Sequence, residues 1–195
     1  MTYTAYVVLM VLVALERLNE LRLSKRNAAL AFARGGIEVG HTHYRVMTAL
    51  HTLFLVSCLA EPVLLGRTFP GLLGWLALVV VVLAQALRVW VISSLGERWN
   101  TRVIVVPYSE PVTTGVYRYL KHPNYVAVIA EIAALPLVFG GWWTAIVFSV
   151  ANAMLLVVRI RVEEEALGRR WQAAFAGLSR FVPSSRRSAH SPHSL

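Results

Sequence analysis

Charged residues are scarce in this chain of 195 residues, and long apolar runs take their place. Only 15% of the residues are charged, whereas 57% are hydrophobic, and the mean hydropathy is +0.59. Because soluble domains average about one quarter charged residues, this composition excludes an ordinary soluble globular protein. The sequence therefore predicts a membrane protein, and its length suits one compact unit.

Signatures of several other protein classes are absent from the sequence. Cys58 is the only cysteine, which excludes an intramolecular disulfide. No G-x-G-x-x-G or Walker-type loop follows a predicted strand, and no His/Cys/Asp/Glu cluster has the spacing of a metal site. The formal net charge of +9 invites a nucleic-acid partner, but the basic residues lie between apolar runs and no zinc-finger or RNA-binding signature is present. We therefore expect neither metal nor nucleic acid as a partner.

Five apolar segments are long enough to be membrane helices, which need about 20 residues each. They cover roughly residues 3–22, 44–65, 71–94, 124–140 and 142–160. Glu16 and Arg17 interrupt the first segment, which ends near residue 16 or continues as an interfacial helix. Only "GGWW" (140–143) separates the last two segments, which predicts a tight helical hairpin. We expect an all-α integral membrane protein of about five transmembrane helices.

The basic residues of the connecting segments predict the orientation of the chain. Arg17, Arg22, Lys25, Arg26, Arg34 and Arg45 lie between or at the edges of segments one and two, and Arg98, Arg102, Arg118 and Lys121 follow segment three. The opposite side carries Arg67 alone. The positive-inside rule then puts the N-terminus outside and the C-terminus in the cytoplasm. Residues 1–183 are predicted to form a single membrane-embedded domain, and the polar segment 184–195 a disordered tail.

The segment "GVYRYLKHPNY" (115–125) is a polar loop at the start of the fourth apolar segment. Pro123 is suited to the first turn of a helix, so His122 lies just before that helix. Gly115 would let the backbone approach a ligand closely. Tyr117 and Tyr125 offer ring faces to a flat heterocycle or a cation. The alternative is an interfacial belt that anchors the end of the helix.

A second polar group, "RIRVEEEAL" (159–167), lies at the end of the fifth segment. Arg159 and Glu163 are spaced i,i+4 and share one helix face, with Glu164 beside them. A carboxylate here suits ribose hydroxyls or an amino group, and Arg159 suits an anionic acceptor. The alternative is a solvated turn containing an Arg–Glu pair.

Glu131 lies two turns into the fourth segment, where a charge is costly in lipid. We expect it to line a cavity, as a candidate catalytic residue, or to form an ion pair with Arg88. Arg88 lies near enough to the cytoplasmic end for its side chain to reach the interface. His51, in the second segment, is expected to be a core histidine.

The two polar motifs, separated by a helical hairpin, resemble the isoprenylcysteine carboxyl methyltransferase family. The wider group of that family includes membrane phospholipid N-methyltransferases. The family pattern is close to G-x-Y-R-x-x-R-H-P-x-Y, a hairpin, and R-I-x-x-E-E-x-x-L, and the match extends over residues 95–167. The segment "LGERWNTRVIVVPYSEPV" (95–112) is similar to bacterial members, which implies a protein of the bacterial inner membrane.

The resemblance implies an S-adenosylmethionine site on the cytoplasmic face, within residues 95–183. With the residues singled out above, the expected cofactor-binding set is Ser109, Glu110, Pro111, Val112, Gly115, Tyr117, His122, Pro123, Asn124, Tyr125, Glu163 and Glu164. Arg159 would face the acceptor. Two departures from the family pattern are Lys121, in place of an arginine, and "LGRRWQAAFAG" (167–177), where Trp171 and Phe175 stand in for the family's aromatic residues.

The resulting hypothesis is methyl transfer from S-adenosylmethionine to a carboxylate, phenol or enol oxygen of a lipophilic acceptor from the bilayer. One alternative is a membrane reductase of a lipid enone, in which Arg118, Lys121, Arg169 and Arg170 would bind the 2′-phosphate of NADPH. Another is a non-enzymatic scaffold or transporter. The transporter is disfavoured because the polar residues cluster at one end of the helices and not at the midplane.

We predict that the purified protein binds S-adenosylmethionine in preference to NADPH, because the paired motifs resemble those of a methyltransferase family. Isothermal calorimetry or binding of radiolabelled cofactor measures both affinities. Preferential binding of NADPH would favour the reductase, and binding of neither would favour the scaffold.

Overall fold

A computed structural model describes residues 1–183, apart from the side chains of Thr42 and His43. The tail 184–195, predicted to be disordered, lies outside the described residues. Five helices follow one another: α1 (Tyr3–Ala33), α2 (His41–Leu64), α3 (Leu72–Leu95), α4 (Pro123–Leu137) and α5 (Trp142–Ala174). Two short strands, β1 (Ile37–Val39) and β2 (Val103–Val105), form an antiparallel pair. Short 3₁₀ turns lie at Gly96–Arg98 and Gly115–Arg118. The all-α prediction is confirmed, apart from this small sheet.

Three helices of the described chain are long and apolar enough to cross a membrane: Tyr44–Leu64, Leu72–Arg98 and Trp142–Ala174. Helix α4 is a shorter apolar helix, and α1 carries several charges along its length. Large apolar side chains such as Leu12, Leu83 and Met154 are exposed on the outer helix surfaces, as expected for contact with lipid. The chain is therefore a membrane protein, whereas the number of five spans stays a prediction.

Helix α1 does not end near residue 16 but continues past the apolar segment to Ala33. The alternative of a continuing helix is confirmed, and its interfacial position stays a prediction. Its second half buries a polar stripe that docks on the segment after α3. Ser24 Oγ donates to Asn100 Oδ1 at 2.8 Å, and Asn27 Nδ2 donates to the carbonyl of Trp99 at 2.8 Å. Because these contacts satisfy buried polar groups, they favour continuation of the helix beyond its apolar part.

The core lies where α1 to α4 meet. Its buried members include Tyr6, Met10, Val13, Phe54, Cys58, Ala77, Val81, Ile132 and Leu135. The hydroxyl of Tyr6 donates to the carbonyl of Leu135 at 3.2 Å and ties α1 to α4. Helix α5 packs against α2 and α4, and the turn between Leu137 and Trp142 forms the predicted hairpin.

A buried ion network joins α1, α3 and α4 inside the apolar layer. Arg88 pairs with Glu131, which confirms the ion-pair alternative. The Arg88 side chain was expected to reach the interface, but it is buried inside the protein. Glu20 lies 2.8 Å from Arg17 and 3.6 Å from Arg88, and Arg17 lies 3.7 Å from Glu131. Mutual pairing is the arrangement that buried charges require in lipid.

Glu61 near the end of α2 caps the first turn of α5. Its carboxylate accepts hydrogen bonds from the backbone N–H groups of Trp143 at 3.2 Å and Thr144 at 2.7 Å. Arg67 lies 3.5 Å from the same carboxylate. A negative charge at a helix N-terminus satisfies free N–H groups and complements the helix dipole. This contact fixes where α5 begins.

We predict that Glu61→Ala lowers the free energy of unfolding in detergent by about 1–2 kcal/mol, since it removes a helix cap. Thermal unfolding of the purified protein measures the effect. Glu165→Ala, an exposed glutamate on α5, is the control and should change stability by less than about 0.5 kcal/mol. Equal melting temperatures for the two variants would contradict a capping role.

Candidate active site

A cavity of about 420 Å³ lies between the segment after α3, the start of α4 and the end of α5. Most of the predicted site residues line it, namely Ser109, Glu110, Pro111, Val112, Tyr117, His122, Asn124, Tyr125, Arg159 and Glu163. The structure thus brings together the two motifs, "GVYRYLKHPNY" and "RIRVEEEAL". Gly115, Pro123, Glu164 and Glu131 do not line the cavity. Glu131 belongs to the separate ion network described above.

The hydroxyl of Tyr125 connects the two charged residues of the second motif. Arg159 Nε donates to this hydroxyl at 2.9 Å, and the hydroxyl donates to the carboxylate of Glu163. Arg159 Nη2 donates to the carbonyl of Thr101 at 2.7 Å, whereas Nη1 makes no hydrogen bond within residues 1–183. The guanidinium is therefore held rigidly and keeps a donor for an anion at the cavity wall.

His122 is fixed in orientation by contacts on three sides. Its ring stacks on Tyr125 with centroids 5.3 Å apart and lies 5.4 Å from the ring of Trp171. Its Nε2 lies 3.0 Å from Glu164 Oε1. Pro123 occupies the first turn of α4 directly after it, as predicted, and is buried. Thus Pro123 and Glu164 support the cavity wall from behind.

Aromatic rings form the wall of the cavity at the C-terminal end of α5. Helix α5 is kinked at Gly168, which has φ 70°, and the turn after the kink carries Trp171 to the cavity. Trp171 and Phe175 have ring centroids 4.8 Å apart, and Phe175 meets Tyr117 edge-on at 6.3 Å. Burial raises the pKa of the Tyr117 phenol, and the charge of Glu163 raises it further. Tyr117 therefore stays neutral and presents an aromatic surface.

Several residues of the cavity were not predicted. They include Asn27 and Ala31 from α1, Arg34 directly after that helix, the segment Glu97, Arg98, Trp99 and Asn100, and Arg102 to Pro107 around β2. The polar spacing along α1, with Ser24 and Asn27 following Arg17 and Glu20 at intervals of three or four residues, was the available signal. Leu95 and residues 103–106 give this side of the cavity an apolar surface.

Two polar atoms near the cavity have no hydrogen-bond partner within the described residues. They are Oδ1 of Asn124, an acceptor, and Nε1 of Trp99, a donor, and both residues line the cavity. Buried polar atoms are normally satisfied, so atoms of this kind suit a polar ligand. Among the side chains that the structure describes, no three His, Cys, Asp or Glu residues are grouped to hold a metal ion.

Gly115 contributes to the site by packing and not by approaching a ligand. It has φ +59°, and a Cβ atom there would lie 2.2 Å from Ser94 Oγ of α3. The backbone of the 3₁₀ turn therefore lies against α3, and this close contact orients Tyr117. A glycine is required here by both the dihedral angle and the lack of space.

The chain is similar in sequence to one protein family and to two bacterial proteins. Residues 75–169 match the model of the family described as "Isoprenylcysteine carboxyl methyltransferase (ICMT) family". An uncharacterised protein of Bacillus subtilis strain 168, YpbQ, is 39% identical over 160 residues, which cover 82% of this chain and 94% of the relative. An uncharacterised protein of Haemophilus influenzae is 26% identical over 152 residues, covering 77% of this chain and 88% of the relative.

We predict that Gly115→Ala lowers the free energy of unfolding by about 2–5 kcal/mol, the sum of left-handed strain and a steric clash. Gly66→Ala is the matched control, because Gly66 has φ +58° and open space around its Cβ position. It should cost only about 1–2 kcal/mol. Thermal unfolding measures both variants, and equal losses would exclude the clash with Ser94.

Proposed function

Because this chain belongs to the isoprenylcysteine carboxyl methyltransferase family, we propose that it transfers a methyl group from S-adenosylmethionine to an oxygen of a lipophilic acceptor. Membership of the family makes the chain a membrane methyltransferase. The observation that carries the finer proposal is the Arg159–Tyr125–Glu163 chain at the cavity wall. It joins a cation suited to an anionic acceptor with a carboxylate suited to the cofactor.

The size and the chemistry of the cavity support a cofactor site. Its volume of about 420 Å³ falls within the range of about 300–1,000 Å³ found for small-molecule sites. Glu163 offers a carboxylate to ribose hydroxyls or an amino group. Oδ1 of Asn124 and Nε1 of Trp99 supply an unpaired acceptor and donor, and the rings of Tyr117 and Trp171 supply flat apolar surfaces.

Bound S-adenosylmethionine would supply an electrophilic methyl group on a sulfonium centre. The chain's own residues would position the reactants and exclude water, which together account for much of the rate in such transfers. A carboxylate acceptor is already anionic near neutral pH and requires no general base. A phenol or enol acceptor would have to release its proton to solvent or to a base as its oxygen takes the methyl group and the sulfonium carbon–sulfur bond breaks. Arg159 would orient this anion through its free Nη1 donor.

The apolar side of the cavity supports a lipophilic acceptor. Leu95 and the β2 segment 103–106 face the cavity, and the outer helix surfaces expose large apolar side chains to lipid. An acceptor that partitions into the bilayer would reach Arg159 without passing through water.

We predict that Arg159→Ala lowers the rate of label transfer from S-adenosylmethionine to a total bacterial lipid extract by about 100-fold, as expected for loss of a preorganised donor. Extraction and chromatography of labelled lipid measures the rate and identifies the product. Arg159→Lys keeps the charge but loses the planar fork, so an intermediate rate is expected.

Arg161→Ala is the control, because Arg161 is exposed on α5 and lies outside the cavity lining. Its rate should equal that of the unmodified protein. Binding of S-adenosylmethionine should be retained in Arg159→Ala, since Arg159 is assigned to the acceptor. Unchanged transfer by Arg159→Ala would refute this assignment.

A further inference from the structure

The segment 175–183 returns from the end of α5 to the start of α4. The backbone N–H of Lys121 donates to the carbonyl of Ser179 at 3.1 Å, and that of His122 donates to the carbonyl of Arg180 at 3.3 Å. Phe175 and Leu178 are buried against Trp171 at the beginning of the segment. The segment is thus anchored at both ends of its path beside the cavity. We call residues 175–183 the clasp.

A side-chain contact reinforces the clasp at its far end. Arg180 binds Glu164 with two parallel hydrogen bonds, from Nε to Oε1 at 2.9 Å and from Nη2 to Oε2 at 2.5 Å. The same Oε1 lies 3.0 Å from His122 Nε2. Arg180, Glu164 and His122 therefore form a continuous chain, in which only the last member lines the cavity.

Exposure of the three side chains decreases along this chain. The side chain of Arg180 is 53% exposed, that of Glu164 is 17% exposed and that of His122 is 4% exposed. A bidentate arginine–carboxylate contact restricts both partners in a single geometry. Fixing Glu164 in turn fixes the ring edge of His122, whose faces are already held by Tyr125 and Trp171.

We propose that Arg180 is a positioning residue for the cofactor site, acting through Glu164 on His122 and closing the clasp over the start of α4. This inference rests on the proposed function for the identity of the ligand. Loss of the bidentate Arg180–Glu164 contact removes two constraints together. The ring of His122 is no longer held by a fixed Glu164, and the backbone hydrogen bonds between the clasp and residues Lys121 and His122 weaken. The cavity wall then loses its preformed shape, and ligand binding must restore it.

The first test is equilibrium binding of radiolabelled S-adenosylmethionine to the full chain in detergent. Arg180→Gln should weaken binding by about fivefold, a modest factor because the pair is partly exposed. Arg161→Gln, the exposed control on α5, should bind as tightly as the unmodified protein. Arg180→Lys, which keeps the charge without the fork, should give an intermediate affinity.

A double-mutant cycle separates action through Glu164 from a general loss of structure. Glu164→Gln alone should weaken binding at least as much as Arg180→Gln. Adding Arg180→Gln to Glu164→Gln should change the affinity by less than about twofold, since coupled residues are not additive. Additive losses would mean that Arg180 acts on the site by another route and would overturn the inference.

Hydrogen exchange of the protein without cofactor provides a readout that does not depend on the ligand. The peptide containing Lys121 and His122 should exchange faster in Arg180→Gln than in Arg161→Gln, because its amides lose their partners in the clasp. If the unmodified protein fails to bind S-adenosylmethionine, the proposed function is wrong. The exchange rates of the Lys121–His122 peptide then test by themselves whether Arg180 holds the clasp in place. If it binds, equal affinity in Arg180→Gln overturns the positioning role, and equal exchange overturns the clasp.

Discussion

The buried ion network of Arg17, Glu20, Arg88 and Glu131 is the constraint on which the rest of the structure depends. Charges inside the apolar layer are tolerated only when they are paired, so α1, α3 and α4 can meet in one register. Arg88 lies upstream of the segment that forms one side of the cavity, and Glu131 lies downstream of the loop that forms the other. The network therefore joins the two helices from which the two sides of the cavity continue.

The helical hairpin then brings the second motif to the first. Glu61 caps α5 at one end of the hairpin, and Tyr125, Arg159 and Glu163 are joined at the other. Because α4 and α5 are continuous between these points, residues separated by more than 30 positions in sequence face each other across a few ångströms. Tyr125, Arg159 and Glu163 thus lie on helices, whereas His122 and residues 109–112 reach the cavity from connecting segments.

Hydropathy was sufficient to predict the order of the helices, the hairpin and the all-α architecture, since lipid requires internally satisfied backbone. The paired motifs predicted one side of the cavity, because helix spacing puts Arg159 and Glu163 on one face. Sequence reasoning failed where side chains from distant segments decide the outcome. Asn27 enters the site only because α1 continues past its apolar part, and Gly115 is required by the position of Ser94, which spacing along the chain does not reveal.

The hydroxyl of Tyr125 couples two charged residues of the cavity wall. It accepts a hydrogen bond from Arg159 and donates its single proton to Glu163, so it joins the cation and the carboxylate of the second motif. Any ligand that shifts one of these groups changes the energy of the other through the shared hydroxyl. By thermodynamic linkage, a ligand bound at Arg159 and a ligand bound at Glu163 would therefore change each other's affinity by the same factor.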